Sequence, residues 1–292
     1  MTRTSPLCIF GEVLFDCFPD GERILGGAPF NVAWHLQALG DAPCFVSAIG
    51  CDPLGAQIRQ AMKDWGMDAA GVQNDPRHPT GQVQIEMVAG EPRYHIEPDC
   101  AYDFIRAEDV PSLPPGAILY HGSLALRQAG SRAACDRLAA CAQGGIFLDV
   151  NLRPPWWRLE DLHAWLRRAR WAKLNREELR QLSPETSNPR HELAAFRRRF
   201  GLEQAILTVG REGALVCTAD GDIHHQTPPS VEHIVDVVGA GDAFTAAYLQ
   251  GLQRDWPLSR TLERAQRFAA KVLGLHGATT RERAFYQEFR TD

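Results

Sequence analysis

The sequence predicts a mostly parallel α/β sheet covered by helices on both faces, with a small antiparallel hairpin set apart from it. Two patterns carry that expectation. Short, continuously apolar runs alternate with helix-period segments along most of the 292 residues, as happens when strands are buried on both faces and joined by helical crossovers. One stretch, GQVQIEMVAGEPRYHIE (81–97), instead alternates apolar with polar residues and turns midway, which marks a half-exposed hairpin.

Taken in chain order, the strand candidates are LCIFGEVLFD (7–16), CFVSAIG (44–50), AILYHG (117–122), GIFLDV (145–150), WAKLN (171–175), AILTVG (205–210) and ALVCTA (214–219). Between them, Val32, Leu36 and Leu39 fall at i, i+4, i+7. Ile58, Ala61, Met62 and Trp65 share a face, and Gly66 stops that helix. Leu193, Phe196 and Phe200 repeat the pattern before Gly201. In the hairpin, Val83, Ile85 and Met87 oppose Gln82, Gln84 and Glu86, with the turn at Ala89-Gly90-Glu91. Together with residues 12–25 it forms a small sheet whose apolar face needs cover from a ligand, a partner subunit or both. HIVDVV (233–238) reads as strand-like and leads into two glycines. A helix then starts near Ala240, with Phe244, Ala247, Tyr248, Gly251 and Leu252 on one face. The tail from 279 to 292 reads as a charged helix packed on the surface.

Composition excludes several classes. A formal net charge of −5 gives no support for nucleic-acid or membrane-surface binding. The basic runs Arg167-Arg168 with Arg170, and Arg197-Arg198-Arg199, sit in helix-like segments and read as solvated faces. Eight cysteines (8, 17, 44, 51, 100, 135, 141, 217) show no C-x-x-C pair and no zinc-finger spacing, so they read as reduced thiols acting as small core residues. MTRTSPLCIF lacks the apolar region of a signal peptide, and no run of about 18 apolar residues occurs. A cytoplasmic protein is the expectation.

The chemistry concentrates in DVVGAGDAF (236–244). First-turn N–H groups of a helix have no intrahelical partner, and the bare glycines at 239 and 241 let a ligand approach them closely. Such a turn holds anions, yet Asp242 stands in it. Asp242 would serve as a plain helix cap, but a cap demands neither the flanking glycines nor the second acid at Asp236. Phosphoryl transfer uses every residue: the amides hold charge on a phosphate while the carboxylate takes a proton from an attacking hydroxyl.

DVVGAGDAF resembles the second signature of the ribokinase/PfkB family of carbohydrate kinases, and further matches follow in the family's order. GGAPFNVAWHLQALG (26–40) resembles the first signature. GCDPLG (50–55), DVNLRPPWW (149–157), NREE (175–178), TVGREG (208–213) and the terminal AAKVLGLHGA resemble the family's other segments, so the likeness spans nearly the whole chain. No G-x-x-x-x-G-K-S/T and no protein-kinase glycine loop occurs, against P-loop and protein kinases.

The resemblance implies one ribokinase-like domain over 1–292. It has a three-layer α/β/α body and a lid sheet built from about 12–25 and 80–105. Asp242 is then the catalytic base, with Gly239, Ala240 and Gly241 as the anion hole. Asp16, Gly27 and Asn31 hydrogen-bond the sugar, although Asn31 also suits a helix cap and Asp16 a turn. Asn151 and Arg153 border sugar and phosphate, or else form a turn set by Pro154-Pro155. Asn175 and Glu178 sit at the triphosphate, with Glu178 acting through water on Mg²⁺. The same pair also reads as a capping pattern. Thr208, Gly210 and Gly213 approach ATP, or form a plain strand-turn-strand. Asp236 and the Val238 carbonyl, with backbone carbonyls near Val272 and Gly277, resemble a monovalent-cation site suited to K⁺. The lid pairs two subunits in many members, which implies a homodimer.

GEVLFD, GGAPFNVAWHLQALG and DVNLR look closer to fructokinases than to ribokinases or adenosine kinases, implying ATP-dependent phosphorylation of the 6-hydroxyl of D-fructose. The alternative is a kinase of 2-keto-3-deoxygluconate or another keto sugar, with Arg93 or Arg106 as the extra cation. A non-catalytic sugar- and nucleotide-binding regulator would show an eroded Asp242 or glycine turn, and both are intact. A metallohydrolase or Ser/Cys hydrolase has less support still. HELAAF lacks the second histidine of H-E-x-x-H, no G-x-S-x-G occurs, and the ten histidines, His121 and His224-His225 among them, show no ligand spacing.

Overall fold

The computed structural model describes residues 6–88, 91–183 and 188–290. In chain order the elements begin with β1 (Leu7–Phe10), β2 (Leu14–Cys17), β3 (Arg23–Gly26), α1 (Ala28–Ala38), β4 (Cys44–Gly50), α2 (Pro53–Trp65) and β5 (Val72–Asp75). Next come β6 (Gly81–Val88), β7 (Glu91–Ile96), β8 (Ile118–His121), α3 (Ala129–Cys141), β9 (Gly145–Asp149), α4 (Leu159–Leu166), β10 (Trp171–Asn175), α5 (Arg176–Leu182) and α6 (Pro189–Phe200). The chain closes with β11 (Gln204–Thr208), β12 (Ala214–Thr218), β13 (Ile223–Gln226), α7 (Ala240–Gln253) and α8 (Leu258–Val272).

Among the described residues, nine strands form one sheet in the order β13-β12-β11-β10-β9-β8-β1-β4-β5. Every pairing from β11 across to β5 is parallel, and only the β11–β12 and β12–β13 pairings at one edge are antiparallel. The continuous apolar runs follow from burial on both faces. In β1, Ile9 joins one core with Leu36 of α1, Phe244 of α7 and Phe268 of α8. Its neighbours Cys8 and Phe10 join the other core, with Leu138 of α3 and Phe196 of α6. Phe147 in β9 and Ile206 in β11 face the first core, while Leu148 and Leu207 face the second. The period-two alternation of a strand thus divides two helix layers, and the expected three-layer body is present.

A second sheet, β3-β2-β6-β7, stands apart from the first. The hairpin β6–β7 pairs antiparallel, with Ile85 opposite Tyr94, and β2 joins it in parallel register at Asp16↔Val83. The expected turn at Ala89-Gly90-Glu91 crosses residues 89 and 90, which lie outside the described residues. Its apolar face is less bare than the alternation suggested. Val83 and Ile85 are buried, and Val83 packs with Cys100, Ala101 and Tyr102 of the same chain.

Four expectations need correction. LCIFGEVLFD is two strands, because the chain turns out of the main sheet at Gly11, packed on Pro29, and enters the small one. HIVDVV is irregular rather than a strand, and Ile234, Val235, Val237 and Val238 are exposed. The tail is a short 3₁₀ segment, Arg283–Phe289, rather than a surface helix. It is held by Tyr286 and Phe289, which insert beside His35 and Phe268. Arg167, Arg168 and Arg170 follow α4 instead of lying in it. Each of the eight cysteines is unpaired, but Cys51 and Cys141 are exposed rather than in the core, and no described helix is long and apolar enough to cross a membrane.

Candidate active site

Parallel strands place their carboxyl ends along one edge, where open α/β sheets bind ligands. Glu12 follows β1 there, His121 ends β8, Asp149 ends β9, and Asn175 and Thr208 end β10 and β11. The first turns of α1 and α7 meet at the same edge: the Asn31 side-chain amide donates to Asp242 Oδ2 at 2.8 Å. Asn31 therefore does not cap α1, whose cap position is Gly27. Asp242 makes no side-chain cap bond either. Its carboxylate is directed across to α1 and keeps a partly exposed edge.

Two glycines make this convergence sterically possible. A β-carbon on Gly27 (φ 106°) would sit 2.7 Å from the Glu12 carbonyl oxygen. One on Gly239 (φ 81°) would land on Ala278. Gly239→Ala therefore combines a left-handed backbone with overpacking. It is expected to cost about 1–3 kcal/mol of stability and to lower turnover by displacing the amides after it. Urea unfolding alongside a steady-state assay checks both; a variant with wild-type stability and turnover would contradict the steric reading.

Burial pushes the Asp242 carboxyl up to about 6, tempered by the Asn31 N–H, the Lys173 ammonium and the Arg153 guanidinium, while Asp149 pushes it further up. Asp16 is likewise raised by burial to about 6, with Arg153 pulling it back. A β-carbon at Gly26 would lie 3.5 Å from Asp16 Oδ2 and 3.9 Å from Asn31 Oδ1. Asp16, Asn31 and Asp242 are thus one contiguous polar group. Arg153 contributes its charge to both acids, although its one hydrogen bond here is from Nη1 to the Leu152 carbonyl, 3.1 Å. Asn151 adopts φ 37° and its carbonyl accepts from Ser123 Oγ at 3.1 Å.

On the other side of the α7 start lies a cleft of ≈ 1250 Å³, lined by Asn175, Thr208, Gly210, Gly213, Ala240 and Gly241 among others. The first turn of α7 thus borders the cleft through Ala240 and Gly241, while Asp242, next in the chain, bonds Asn31 of α1.

The family model for pfkB family carbohydrate kinases matches residues 14–284. The chain belongs to that family. A fructokinase of Escherichia coli is 31% identical over 298 residues, covering 95% of this chain and 96% of the relative. Aminoimidazole riboside kinase of Salmonella enterica, solved with aminoimidazole riboside and an ATP analog, superposes with a TM-score of 0.85 at 27% identity, over 98% of this chain and 99% of that one. Fructokinase of Vibrio cholerae, solved with fructose, ADP and calcium, superposes with a TM-score of 0.83 at 27% identity, again over 98% and 99%.

The remaining residues singled out in this sugar kinase fall into two groups. Asn175 and Glu178 make a full capping box: Asn175 Oδ1 accepts from the Glu178 N–H at 2.9 Å, and Glu178 Oε2 accepts from the Asn175 N–H at 2.8 Å. Glu178 Oε1 also accepts from the Leu152 N–H at 2.8 Å, tying β10 to the 151–153 turn. Burial raises the Glu178 carboxyl, and those N–H groups hold it back. Thr208, Gly210 and Gly213 occupy the β11–β12 turn and also line the cleft, so both readings of them describe one place. Asp236 accepts from the Val238 N–H at 3.0 Å and from the Gly277 N–H at 3.1 Å, which gathers 236, 238 and 277 together. The Val272 carbonyl, at the end of α8, accepts from the Leu275 N–H at 2.9 Å.

Sequence reasoning missed Asp149 and Lys173. Lys173 Nζ donates to Asp149 Oδ2 at 2.7 Å, with side chains only 8% and 3% exposed, and Thr245 Oγ1 of α7 donates to the same oxygen at 3.2 Å. Nζ would lie 3.7 Å from a β-carbon at Gly241, so a cation stands beneath the glycine turn. The available signal was a lysine inside the apolar strand WAKLN, since lysine is almost never buried unless paired. Arg106, weighed as a cation for a sugar acid, instead bonds Asp109 and the Asn74 carbonyl.

Proposed function

We infer that this sugar kinase transfers the terminal phosphoryl group of ATP to the 6-hydroxyl of D-fructose. The observation that carries the reading is Asp242, fixed by Asn31 at a helix start whose Ala240 and Gly241 line a cleft of ≈ 1250 Å³. The primary hydroxyl donates to the Asp242 carboxylate and loses its proton to it as the oxygen attacks phosphorus. Ala240, Gly241 and the α7 dipole stabilise charge on the phosphoryl oxygens. Asp16 and Asn31 orient the sugar, and Arg153 balances charge between the two substrates.

Magnesium ions accompany ATP in such chemistry and neutralise phosphate charge when bound. Glu178 fits a role through water, because each carboxylate oxygen retains a lone pair beyond its N–H partner. Asp236, Val238, Val272 and Gly277 are assigned to a monovalent cation such as K⁺. The neighbourhood of Asp236 and the 238 and 277 backbone supports that assignment. A neutral acceptor is favoured over 2-keto-3-deoxygluconate, because Asp16 and Asp242 face the acceptor with Arg153 as the charge acting on both. A homodimer through the lid belongs to the same reading, supported by the place of β7 at the edge of the small sheet among the described residues and by Tyr94, which is 58% exposed.

The test is a panel of fructose, aminoimidazole riboside, ribose and 2-keto-3-deoxygluconate assayed with ATP. The highest kcat/KM is expected for fructose; a riboside or sugar acid turned over faster would replace the assignment. The pH profile follows from the base. Asp242 must be ionised to accept the proton, so kcat/KM holds above its pKa of about 6 and falls as pH drops through that value. Burial raises Asp16 to about 6 as well, so its ionisation falls in the same range and contributes to the limb. Activity that persists unchanged down to pH 4.5, about 1.5 units below, would contradict a carboxylate base.

A further inference from the structure

One wall of the cleft beside the α7 start is a face of α8, on which Gln266, Ala269 and Leu273 follow one another. Gln266 is the polar member of that face and is only 6% exposed. Its side-chain amide makes no hydrogen bond among the described residues. Gln73 and Gln250, also buried, use both ends of theirs. Gln73 donates to the Arg106 carbonyl at 3.0 Å and accepts from the Arg106 N–H at 2.8 Å. Gln250 donates to Asp41 at 2.6 Å and accepts from Arg264 Nε at 3.0 Å. Interiors leave few polar groups unpaired, because such a group forfeits its hydration for nothing. Neither amide atom of Gln266 is sealed off in the interior, so the surface it keeps includes the amide and opens on the cleft. Val231, Ile234 and Val237, from the segment before α7, line the same cleft, and the last two are 44% and 71% exposed. Exposed apolar side chains around one convergent polar group suit a ligand with a flat apolar body and a polar edge.

Along α8, two turns separate Gln266 from Leu273, about 10 Å at the helical rise. The Leu273 carbonyl accepts from the N–H groups of Val235 and Asp236, on the approach to Gly239. Leu273 therefore marks the end of the wall next to the anion-binding turn, and Gln266 the end remote from it. We propose that Gln266 recognises the nucleobase, pairing its amide with the 6-amino group of adenine and a ring nitrogen beside it. The proposal rests on the sugar-kinase reading above. With the terminal phosphate at Ala240 and Gly241, the base lies at the remote end of the cleft, against the apolar residues of α8 and of the 231–237 segment. The 6-amino group donates and the neighbouring ring nitrogen accepts, which is the complement of a glutamine amide. A base without that amino group leaves the glutamine carbonyl unpaired among apolar neighbours, and the site discriminates against it.

The experiment compares ATP with purine riboside triphosphate, which lacks only the 6-amino group, in the wild-type full chain and in Gln266→Leu. The readouts are nucleotide KM and kcat, sugar KM, nucleotide binding by calorimetry without sugar, and thermal melting. The wild type is expected to show a KM about fivefold or more higher for the deaminated nucleotide. Gln266→Leu should raise the ATP KM by about tenfold and make the two nucleotides equivalent to within about twofold. The sugar KM should stay unchanged, and kcat should change by less than about threefold, because the lost contact is uniform to ground and transition states. Melting of the nucleotide-free protein should not fall, since an unpaired amide gives way to an apolar group of similar size. Gln266→Met, unbranched and of similar length, carries the test if Gln266→Leu does not fold. A variant that melts lower but keeps the wild-type preference for ATP would make Gln266 structural and overturn the proposal, as would a wild type indifferent to the 6-amino group. If the wild-type enzyme prefers another sugar of the panel, the assays use that sugar, and the calorimetric arm needs none. Failure of ATP to bind the wild type would refute the kinase reading itself, a result distinct from ATP binding without base discrimination.

Discussion

Asp242→Asn is expected to lower kcat by roughly 10²–10⁴-fold, the usual contribution of a positioned general base, with the sugar KM changed little. The substitution is close to isosteric, and the new amide oxygen still accepts from the Asn31 amide across the 2.8 Å bond between α1 and α7. What disappears is the capacity to take a proton. Loss of turnover without loss of binding separates chemistry from positioning. The helix-start amides at 239–241 stay in place, so residual phosphoryl transfer above background is expected. A variant that keeps more than about a tenth of wild-type kcat would show that the hydroxyl loses its proton elsewhere.

The second large effect is expected at Lys173. Its ammonium lies 2.7 Å from Asp149 in a pair that is almost wholly buried. Lys173→Met leaves the Asp149 carboxylate with the Thr245 hydroxyl at 3.2 Å. Stranding a buried charge costs about 3–5 kcal/mol, a large share of the 5–15 kcal/mol that ordinarily holds a domain folded. Function should suffer separately, because the Lys173 charge lowers the pKa of Asp242. Without it the base gains its proton at higher pH, and the acid limb of kcat/KM moves upward. Lys173→Met combined with Asp149→Leu should recover much of the stability, since no charge is then stranded, but not the activity. Urea unfolding and pH profiles of the three proteins test this; a single variant as stable as wild type would contradict the buried pair.

Most of the fold was legible because its signals are local. Strands such as CFVSAIG and WAKLN are bounded as their apolar runs suggest, and β6 and β7 announce themselves by alternation. Where reading failed, a non-local cause decided. LCIFGEVLFD is apolar throughout, yet it splits because Gly11 packs on Pro29 and the next strand finds its partner in β6, some 65 residues on. HIVDVV has strand composition, but its N–H groups at 235 and 236 go to the Leu273 carbonyl instead of a ladder. The tail's charge suggested a surface helix, and two aromatics overrode it by filling a gap beside Phe268.

The site divides along the same line. Asp242 was readable because an acid in a glycine turn is chemically odd, and Asn31 because it stands in a segment like the family's first signature. Asp149 and Lys173 were hidden because their meaning lies in each other: the acid ends β9 and the lysine is in β10, paired across neighbouring strands.

The central claim is that Asp242 and the amides beside it serve two substrates from one helix start. A crystal structure of the protein with fructose and a non-hydrolysable ATP analogue tests it most directly. The account predicts a primary hydroxyl within about 2.6–3.2 Å of an Asp242 carboxylate oxygen, with the terminal phosphate facing the 239–241 amides. A sugar bound with that hydroxyl turned away from Asp242, or a terminal phosphate held elsewhere in the cleft, would contradict it.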